Sequence, residues 1–417
     1  MRLIETLLLL ANLLAFFIVA IPLPRAVCWV RYWVPIAPLI AIAQVLVEGP
    51  RWQMIPAYVL TGLLLLVWLL RIVKRGSLDS NRLIAGLGSG LGVLMLVISI
   101  ALPILVPIFH FSKPTGSYAI GTLTYHWVDS SRPELFTTDP NDHRELMAQV
   151  WYPAKNELAA ARAPYIQDAD VVTPALARLT HLPGFLFTHF KYVTTNAVVA
   201  ASIADDTSRY PVLIYLTGLD GFRAVSTFQI EELVSYGYIV VGLDQPGAVA
   251  MVRLPDGRQI SGLPKDEIQP LIDQSIEQQP TTPTLNGITL SNGIIPYFAQ
   301  DVRFTLRLER QRSGGWTEKD IALTLSTMRM VYKELPGDGY YIEIPTMFHV
   351  NFTDLPNWSP VTSQLGLTGP INGQRAHDII NAYSLAFFDK HLKGQPSTLL
   401  DRPAAQYPEV LFETRQP

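Results

Sequence analysis

The fold is decided by the stretch from Val212 to Asp244, which reads Val-Leu-Ile-Tyr-Leu-Thr-Gly-Leu-Asp-Gly-Phe-Arg-Ala-Val-Ser-Thr-Phe-Gln-Ile-Glu-Glu-Leu-Val-Ser-Tyr-Gly-Tyr-Ile-Val-Val-Gly-Leu-Asp. Val212 to Leu216 is an uninterrupted apolar run, the pattern of a strand buried on both faces. Thr217 to Gly221 forms a turn. Ala224 to Tyr236 carries Val225, Phe228, Glu232 and Leu233 at helical spacing and stops at Gly237, a suitable C-terminal cap. Tyr238 to Leu243 supplies a second buried strand ending in Asp244. Strand, helix and strand in this order make a βαβ unit. Such a unit implies a parallel sheet with its ligand crevice at the carboxyl ends of the strands.

Upstream, Tyr118 to Val128 and Met147 to Tyr152 alternate apolar and polar residues and predict two antiparallel strands, joined by the charged stretch from Asp129 to His143. Downstream, Arg253 to Asn286 is rich in Pro, Gln, Asp and Thr with little periodicity. The region from about 253 to 290 therefore reads as a lid or surface excursion. Ser291 is placed to cap a helix from Ile294 to about Arg310, with Ile295, Phe298, Val302 and Leu306 on one face. Ser313-Gly-Gly315 breaks that pattern. Thr317 and Asp320 then open a helix with the stripe Ile321, Leu325, Met328, Tyr332 and Leu335. Tyr340 to Ile344 reads as a strand, His349 lies in the loop after it, and Arg375 to Leu392 reads as a closing helix ended by Gly394.

The first quarter of the chain has a different solvent. A spanning helix needs about 20 mainly apolar residues. Leu3–Ile21, Val27–Val47, Met54–Val73 and Leu83–Phe109 meet that need, so residues 1–111 form a transmembrane region of about four helices and residues 112–417 a second domain. A cleaved signal peptide is the rival reading of the first segment. Three further apolar stretches follow it, and no small-x-small site stands near Ile21. Arg25, Arg31, Arg71, Lys74, Arg75 and Arg82 lie on one side of the spans, against Arg2, Arg51 and Lys113 on the other. The positive-inside rule then makes the chain an integral protein of a bacterial inner membrane with its C-terminal domain extracytoplasmic. The run Gly86-Leu-Gly-Ser-Gly-Leu-Gly92 reads as small residues for close helix contact rather than a phosphate loop.

Composition agrees with this division. Of 417 residues, 49% are hydrophobic and 16% charged, and charges are scarce before residue 110. The net charge of −3, without a Lys/Arg-rich run interleaved with aromatics, argues against a nucleic-acid partner. The single cysteine, Cys28, excludes an intrachain disulfide.

Several stretches resemble the platelet-activating factor acetylhydrolase family, in its bacterial membrane-anchored form. Leu216-Thr-Gly-Leu-Asp-Gly-Phe-Arg223 is similar to that family's His-Gly-Leu-Gly-x-Phe-Arg loop, and Glu232-Leu-Val-Ser-Tyr-Gly-Tyr-Ile-Val-Val241 to the segment just after that loop. Phe348-His-Val-Asn-Phe-Thr-Asp354 with Trp358-Ser-Pro360 resembles its catalytic-histidine loop. Tyr383 to Lys393 resembles its closing helix, and Pro114 to Gly121 with Val150-Trp-Tyr-Pro153 its opening strands. The resemblance covers about residues 112–395. It implies an α/β-hydrolase fold and metal-free, cofactor-free hydrolysis of short or oxidised acyl esters of phospholipids through a Ser-His-Asp triad. It implies His349 as general base and the backbone N–H of Leu219 as oxyanion donor, with the lipid bilayer and a lipid ester as partners. Thr217 stands where the family has its loop histidine.

One component of that machinery is not found. A nucleophile of this type sits on a G-x-S-x-G turn between strand and helix, and no serine of the chain has glycine both two residues before and two after. No second continuous apolar strand lies between Asp244 and His349. The chain passes from the Ile294–Leu306 helix straight into Arg307-Leu-Glu-Arg-Gln-Arg312, as though the elbow segment were missing near Leu306. The expected α/β-hydrolase-like domain is therefore truncated in its central sheet. Ser313 follows a helix rather than a strand, which makes it a poor stand-in. Asp301, Asp338 and Asp354 are the acids to consider for orienting His349, and Asp354 is better explained as part of its loop motif. Two readings remain: a membrane-anchored carboxylic-ester hydrolase, or an inactive membrane-bound relative with a binding role or none.

Overall fold

The computed structural model describes the whole chain except residues 22–23, 74–81, 157–159, 206–208, 308–338 and 416–417. Several expectations therefore fall outside the described residues: Lys74, Arg75, the 308–312 junction, Ser313, the helix with the Ile321–Leu335 stripe, and Asp338. The chain divides into two compact units, Met1–Phe109 with Trp358–Val361, and His110–Asn357 with Thr362–Pro417.

The first unit contains α1 (Leu3–Ala20), α2 (Ile36–Val47), α3 (Ile55–Val73) and α4 (Arg82–Leu105). Four stretches, Leu3–Ala20, Trp29–Val47, Trp52–Val73 and Gly88–Leu105, are long and apolar enough to cross a membrane. The second differs from expectation. Only Ile36–Val47 is regular α-helix, preceded by a 3-10 run at Arg25–Trp33, because Pro35 and Pro38 suit only the first turn of a helix. The fourth helix stops at Leu105, short of the expected Phe109 and two residues before Pro107, after running through Pro103. Ala15, Phe16, Leu60, Leu64 and Leu96 pack together inside the unit, while Leu39, Leu46, Leu66 and Val97 face outward.

The polar interruptions of the first helix are all satisfied. Glu5 accepts two bonds of 2.7 Å from the Arg51 guanidinium, and Asn12 donates to Ala57 O at 3.0 Å and accepts from Thr61 Oγ1 at 2.8 Å. Pairing of this kind lets an ionisable group stand in an apolar helix. The glycine run meets its expectation at one position only. A β-carbon built on Gly92 would lie 2.4 Å from the Phe16 ring, whereas nothing stands within 4 Å of those built on Gly86, Gly88 and Gly90.

The second unit is built on a six-stranded mixed sheet formed by β1 (Ala119–Pro133), β2 (His143–Ala154), β3 (Arg162–Pro164), β4 (Thr194–Val199), β5 (Val212–Leu216) and β6 (Ile239–Asp244). Their order is β3-β4-β1-β2-β6-β5. β1 and β2 are antiparallel, as their alternation predicts, and extend into the stretch expected to be loop. β5 and β6 are parallel, with Val212 opposite Ile239 and Leu216 opposite Leu243, and α6 (Thr227–Ser235) joins them. Before it comes α5 (Ala169–Leu179).

Two features of the βαβ unit depart from its sequence reading. Every residue of β5 is half-buried rather than buried, because β5 ends the sheet and, among the described residues, no strand pairs with its outer edge. Helix α6 begins three residues later than its apolar spacing suggests, for a reason that lies in a distant loop. Its C-terminus matches expectation: Gly237 is left-handed at φ 89°, and the N–H groups of Gly237 and Tyr238 return to Val234 O and Leu233 O.

The expected lid is an ordered part of the unit. A hairpin of β7 (Met251–Arg253) and β8 (Gln259–Ser261) precedes α7 (Lys265–Ile276), and β9 (Thr284–Leu285) pairs with β10 (Ile288–Thr289) after it. Ile268, Leu271 and Ile272 of α7 form a core with Leu135, Ile294 and Tyr297. Next comes α8 (Ile295–Arg307). Ser275 Oγ, not Ser291, accepts from the first helical N–H, that of Ile295, at 3.0 Å. The buried face of α8 includes Asp301, which bonds Arg144 at 2.7 and 3.0 Å and Arg132 at 2.8 Å. β11 (Gly339–Glu343) does not join the large sheet. It pairs antiparallel with β12 (Leu411–Arg415), packed against α9 (Gly373–Leu392) through Ile379 and Tyr383.

Candidate active site

The site grows from the carboxyl end of β5. After Leu216 the backbone enters the left-handed region at Gly218 (φ 75°) and again at Asp220 (φ 61°). Between them lies Leu219, whose side chain is exposed and whose N–H meets no acceptor among the described residues. The turn is fixed from one side by the 248–250 segment: Asp220 N–H donates to Ala248 O at 2.8 Å, and Ala250 N–H donates to Gly221 O at 2.9 Å. A side chain at Gly221 would collide with Thr217 O, at 2.8 Å from a built β-carbon. Phe222 and Arg223, at the end of the Leu216–Arg223 motif, turn inward. Arg223 N–H donates to Asp244 Oδ1 at 2.6 Å, and its guanidinium pairs with Asp244 Oδ2 and reaches Gln167 at 2.9 Å. Arg223 thereby clamps the turn to the end of β6.

His349 opens a 3-10 turn, His349–Phe352, in the loop after β11. Asn351 holds this loop together: its buried Oδ1 accepts from Phe348 N–H at 2.9 Å and from Gly369 N–H at 2.8 Å. The loop is then pinned to the start of α6. Asp354 N–H donates to Val225 O at 2.7 Å, while the Asp354 carboxylate accepts from Thr227 N–H at 2.8 Å and from Phe228 N–H at 3.0 Å. Ser226 Oγ donates to Phe352 O at 2.9 Å. Asp354 is therefore the N-terminal cap of α6, supplied from 127 residues away. This is why the helix starts at Thr227. Burial pushes the Asp354 carboxyl well above the usual carboxylate range, against the pull of the two backbone donors.

The structure thus brings the Leu219 turn and the His349 loop to one place, the N-terminus of α6. The turn leads directly into the helix, and the loop caps it. Among the described residues it places no acid on His349. Asp354 is committed to α6, and Asp301 to the buried arginines. The His349 imidazole is exposed, and no described side chain hydrogen-bonds to it. No serine hydroxyl among the described residues does so either.

Sequence reasoning missed His377 of α9. It is buried, stacks on Phe228 with ring centroids 3.6 Å apart, and bonds through Nε2 to Thr353 O at 3.1 Å. Burial pushes its pKa down to about 4, so the ring is neutral and Nε2–H donates. Nothing in the local sequence marks it, because its partners lie in two other elements.

A cavity of about 10 Å³ lies behind the turn, lined by Gln149, Gln167, Asp168, Arg223, Asp244 and Arg253. That is room for one water and excludes it as an acyl pocket. Among the described residues no three His, Cys, Asp or Glu side chains converge on a metal position.

No family model and no curated protein matches this chain. One solved structure that does is the ferulic acid esterase from Streptomyces cinnamoneus, with a TM-score of 0.51 and 23% sequence identity over 73% of this chain and 99% of that one. The likeness, added to the mixed sheet and its parallel β5–α6–β6 crossover, shows that residues beyond the apolar helices adopt an α/β-hydrolase-like fold.

Proposed function

We propose that the chain is a membrane-anchored carboxylic-ester hydrolase of the platelet-activating factor acetylhydrolase type, directed at short or oxidised acyl esters of phospholipids. The observation that carries this reading is the common seat of the Leu219 turn and the His349 loop on the N-terminus of α6. A base and an oxyanion donor act together only when both are held within reach of one carbonyl group, and the turn and the loop meet where α6 begins. In this reading His349 takes the proton of an attacking hydroxyl, and the Leu219 N–H receives the carbonyl oxygen as it gains charge.

The character of the surroundings supports an apolar acyl substrate. Phe348 and Phe352 flank His349 and are 48% and 49% exposed. Leu365 and Leu367, on the loop tied to Asn351 through Gly369, are 66% and 52% exposed. From Ile344 to Gln374 the only acidic or basic side chains are His349 and the buried Asp354. An exposed apolar surface without charge suits lipid better than a charged partner. The four apolar helices and their outward-facing leucines and valines support a bilayer anchor.

The second reading, a non-catalytic relative, is favoured by the absence of any G-x-S-x-G in the sequence. A serine-directed fluorophosphonate probe separates the two. Labelling of the purified chain that is lost on heating, with ester hydrolysis abolished in His349→Ala, is the result expected of the hydrolase. A folded chain that neither labels nor hydrolyses short-chain esters belongs to the second reading, and unchanged turnover in His349→Ala removes that residue from the mechanism.

A further inference from the structure

Asp220, beside the oxyanion position, is the least comfortable residue of the turn. Its φ of 61° lies in the left-handed region, which disfavours residues other than glycine, though aspartate tolerates it better than most. Its N–H is held by Ala248 O, so the backbone cannot relax locally. Its carboxylate has no cation and no hydrogen-bond donor among the described residues. Instead Oδ1 lies against Gly262, 3.4 Å from where a β-carbon on that glycine would stand. Although the residue is exposed as a whole, its carboxyl end is drawn partly from water there, which raises its pKa. An uncompensated negative charge thus stands one residue from the Leu219 N–H, a donor that itself has no acceptor among the described residues.

We propose that Asp220 sets the charge preference of the Leu219 seat, its carboxylate disfavouring anions at that N–H and leaving the seat selective for neutral carbonyl groups. The inference rests on reading Leu219 as the acyl-oxygen donor. Consecutive Cα atoms are about 3.8 Å apart, so the carboxylate stands on the order of 7 Å from an oxygen bound at the Leu219 N–H. At an effective dielectric near 20, two like charges at that separation weaken binding roughly fiftyfold. Solvent around an exposed carboxylate reduces this to about tenfold. The same repulsion acts on a tetrahedral oxyanion and on the carboxylate product, so it slows the chemical step and speeds product departure.

The test uses the full chain in lipid nanodiscs and two small probes, butyrate and its uncharged counterpart butyramide, with binding followed by ligand-observed NMR at pH 8. Asp220→Asn removes the charge and keeps the shape, and Asp220→Gly also relieves the left-handed strain. Both variants are expected to bind butyrate about tenfold more tightly than the parent with butyramide affinity unchanged. Equal butyrate affinity in all three proteins, or no butyrate binding by any of them, overturns the proposal. Hydrolysis of a butyrate ester, and its loss in His349→Ala, is measured on the same preparations. Butyrate binding needs no nucleophile, so the ester-hydrolase reading and the role of Asp220 can fail independently.

Discussion

Two buried residues of the second unit give stability opposite dependences on pH. Glu231 of α6 accepts from the N–H groups of Asn196 and Ala197 at 2.7 and 3.0 Å and from Asn196 Nδ2 at 2.8 Å, yet burial pushes its carboxyl up to about 7. The folded chain keeps this proton where the unfolded chain has lost it. Its contribution to stability is therefore full below pH 4.5 and declines as pH rises to about 7. His377 runs the opposite way. Held neutral down to about pH 4, it contributes fully above pH 6.5 and loses that contribution as pH falls toward 4. Glu231→Gln, with Asn196 turning its amide to suit, should remove the first slope and leave the second. The stability of the variant minus that of the parent is expected to grow by on the order of 3 kcal/mol between pH 4.5 and 7.5. Denaturant unfolding across that range is the measurement, and a pH-independent difference would show that Glu231 is ionised when folded.

At the scale of elements, α6 joins the fold to the site. Gly237, a local signal, ends it, whereas Asp354, brought back by the whole downstream chain, begins it. Its start was therefore not legible in Ala224–Ser226, which have apolar spacing but lie in the turn before the helix. α8 is held differently, through the buried cluster of Asp301 with Arg132 and Arg144, in which Glu134 also bonds Arg144 at 3.1 Å. Removing the one acid that serves both arginines leaves Arg144 with Glu134 and Arg132 with Asp129, two buried cations each short of one carboxylate partner. Asp301→Ala is expected to destabilise the chain by about 3–5 kcal/mol, read as a lower thermal midpoint. A midpoint within a degree of the parent would mean that water has replaced the carboxylate. α7 shows what the low periodicity of the 253–290 stretch concealed. Ile268, Leu271 and Ile272 are at helical spacing, but Pro270 and the polar residues around them hide an element whose core partner, Leu135, is far away in sequence.

Over the whole molecule, the division into an apolar helical unit and an α/β-hydrolase-like unit leads to a prediction about topology. If the excess of basic residues in the odd-numbered loops orients the anchor, residues after Phe111 are open to protease added outside the cell. Digestion of the C-terminal domain in intact cells with a permeabilised outer membrane is the expected outcome. Full protection under those conditions reverses the orientation. Among the described residues β5, half-buried at the end of its sheet, has no strand on its outer side, an edge of the kind that is ordinarily paired or covered.

By itself the sequence determined the apolar helices, the parallel β5–α6–β6 crossover and the antiparallel β1–β2 pair. Each arises from a periodicity or an apolar run contained in its own segment, where the physics is local. Only the tertiary structure decided that β5 ends the sheet among the described residues, that Asp354 caps a helix and does not orient His349, that Asp301 bonds two buried arginines, and that His377 underpins the His349 loop. Burial, capping and charge pairing belong to pairs of groups, and those pairs are separated by up to 169 residues of chain. A residue's spacing within its own segment carries no record of a partner so distant.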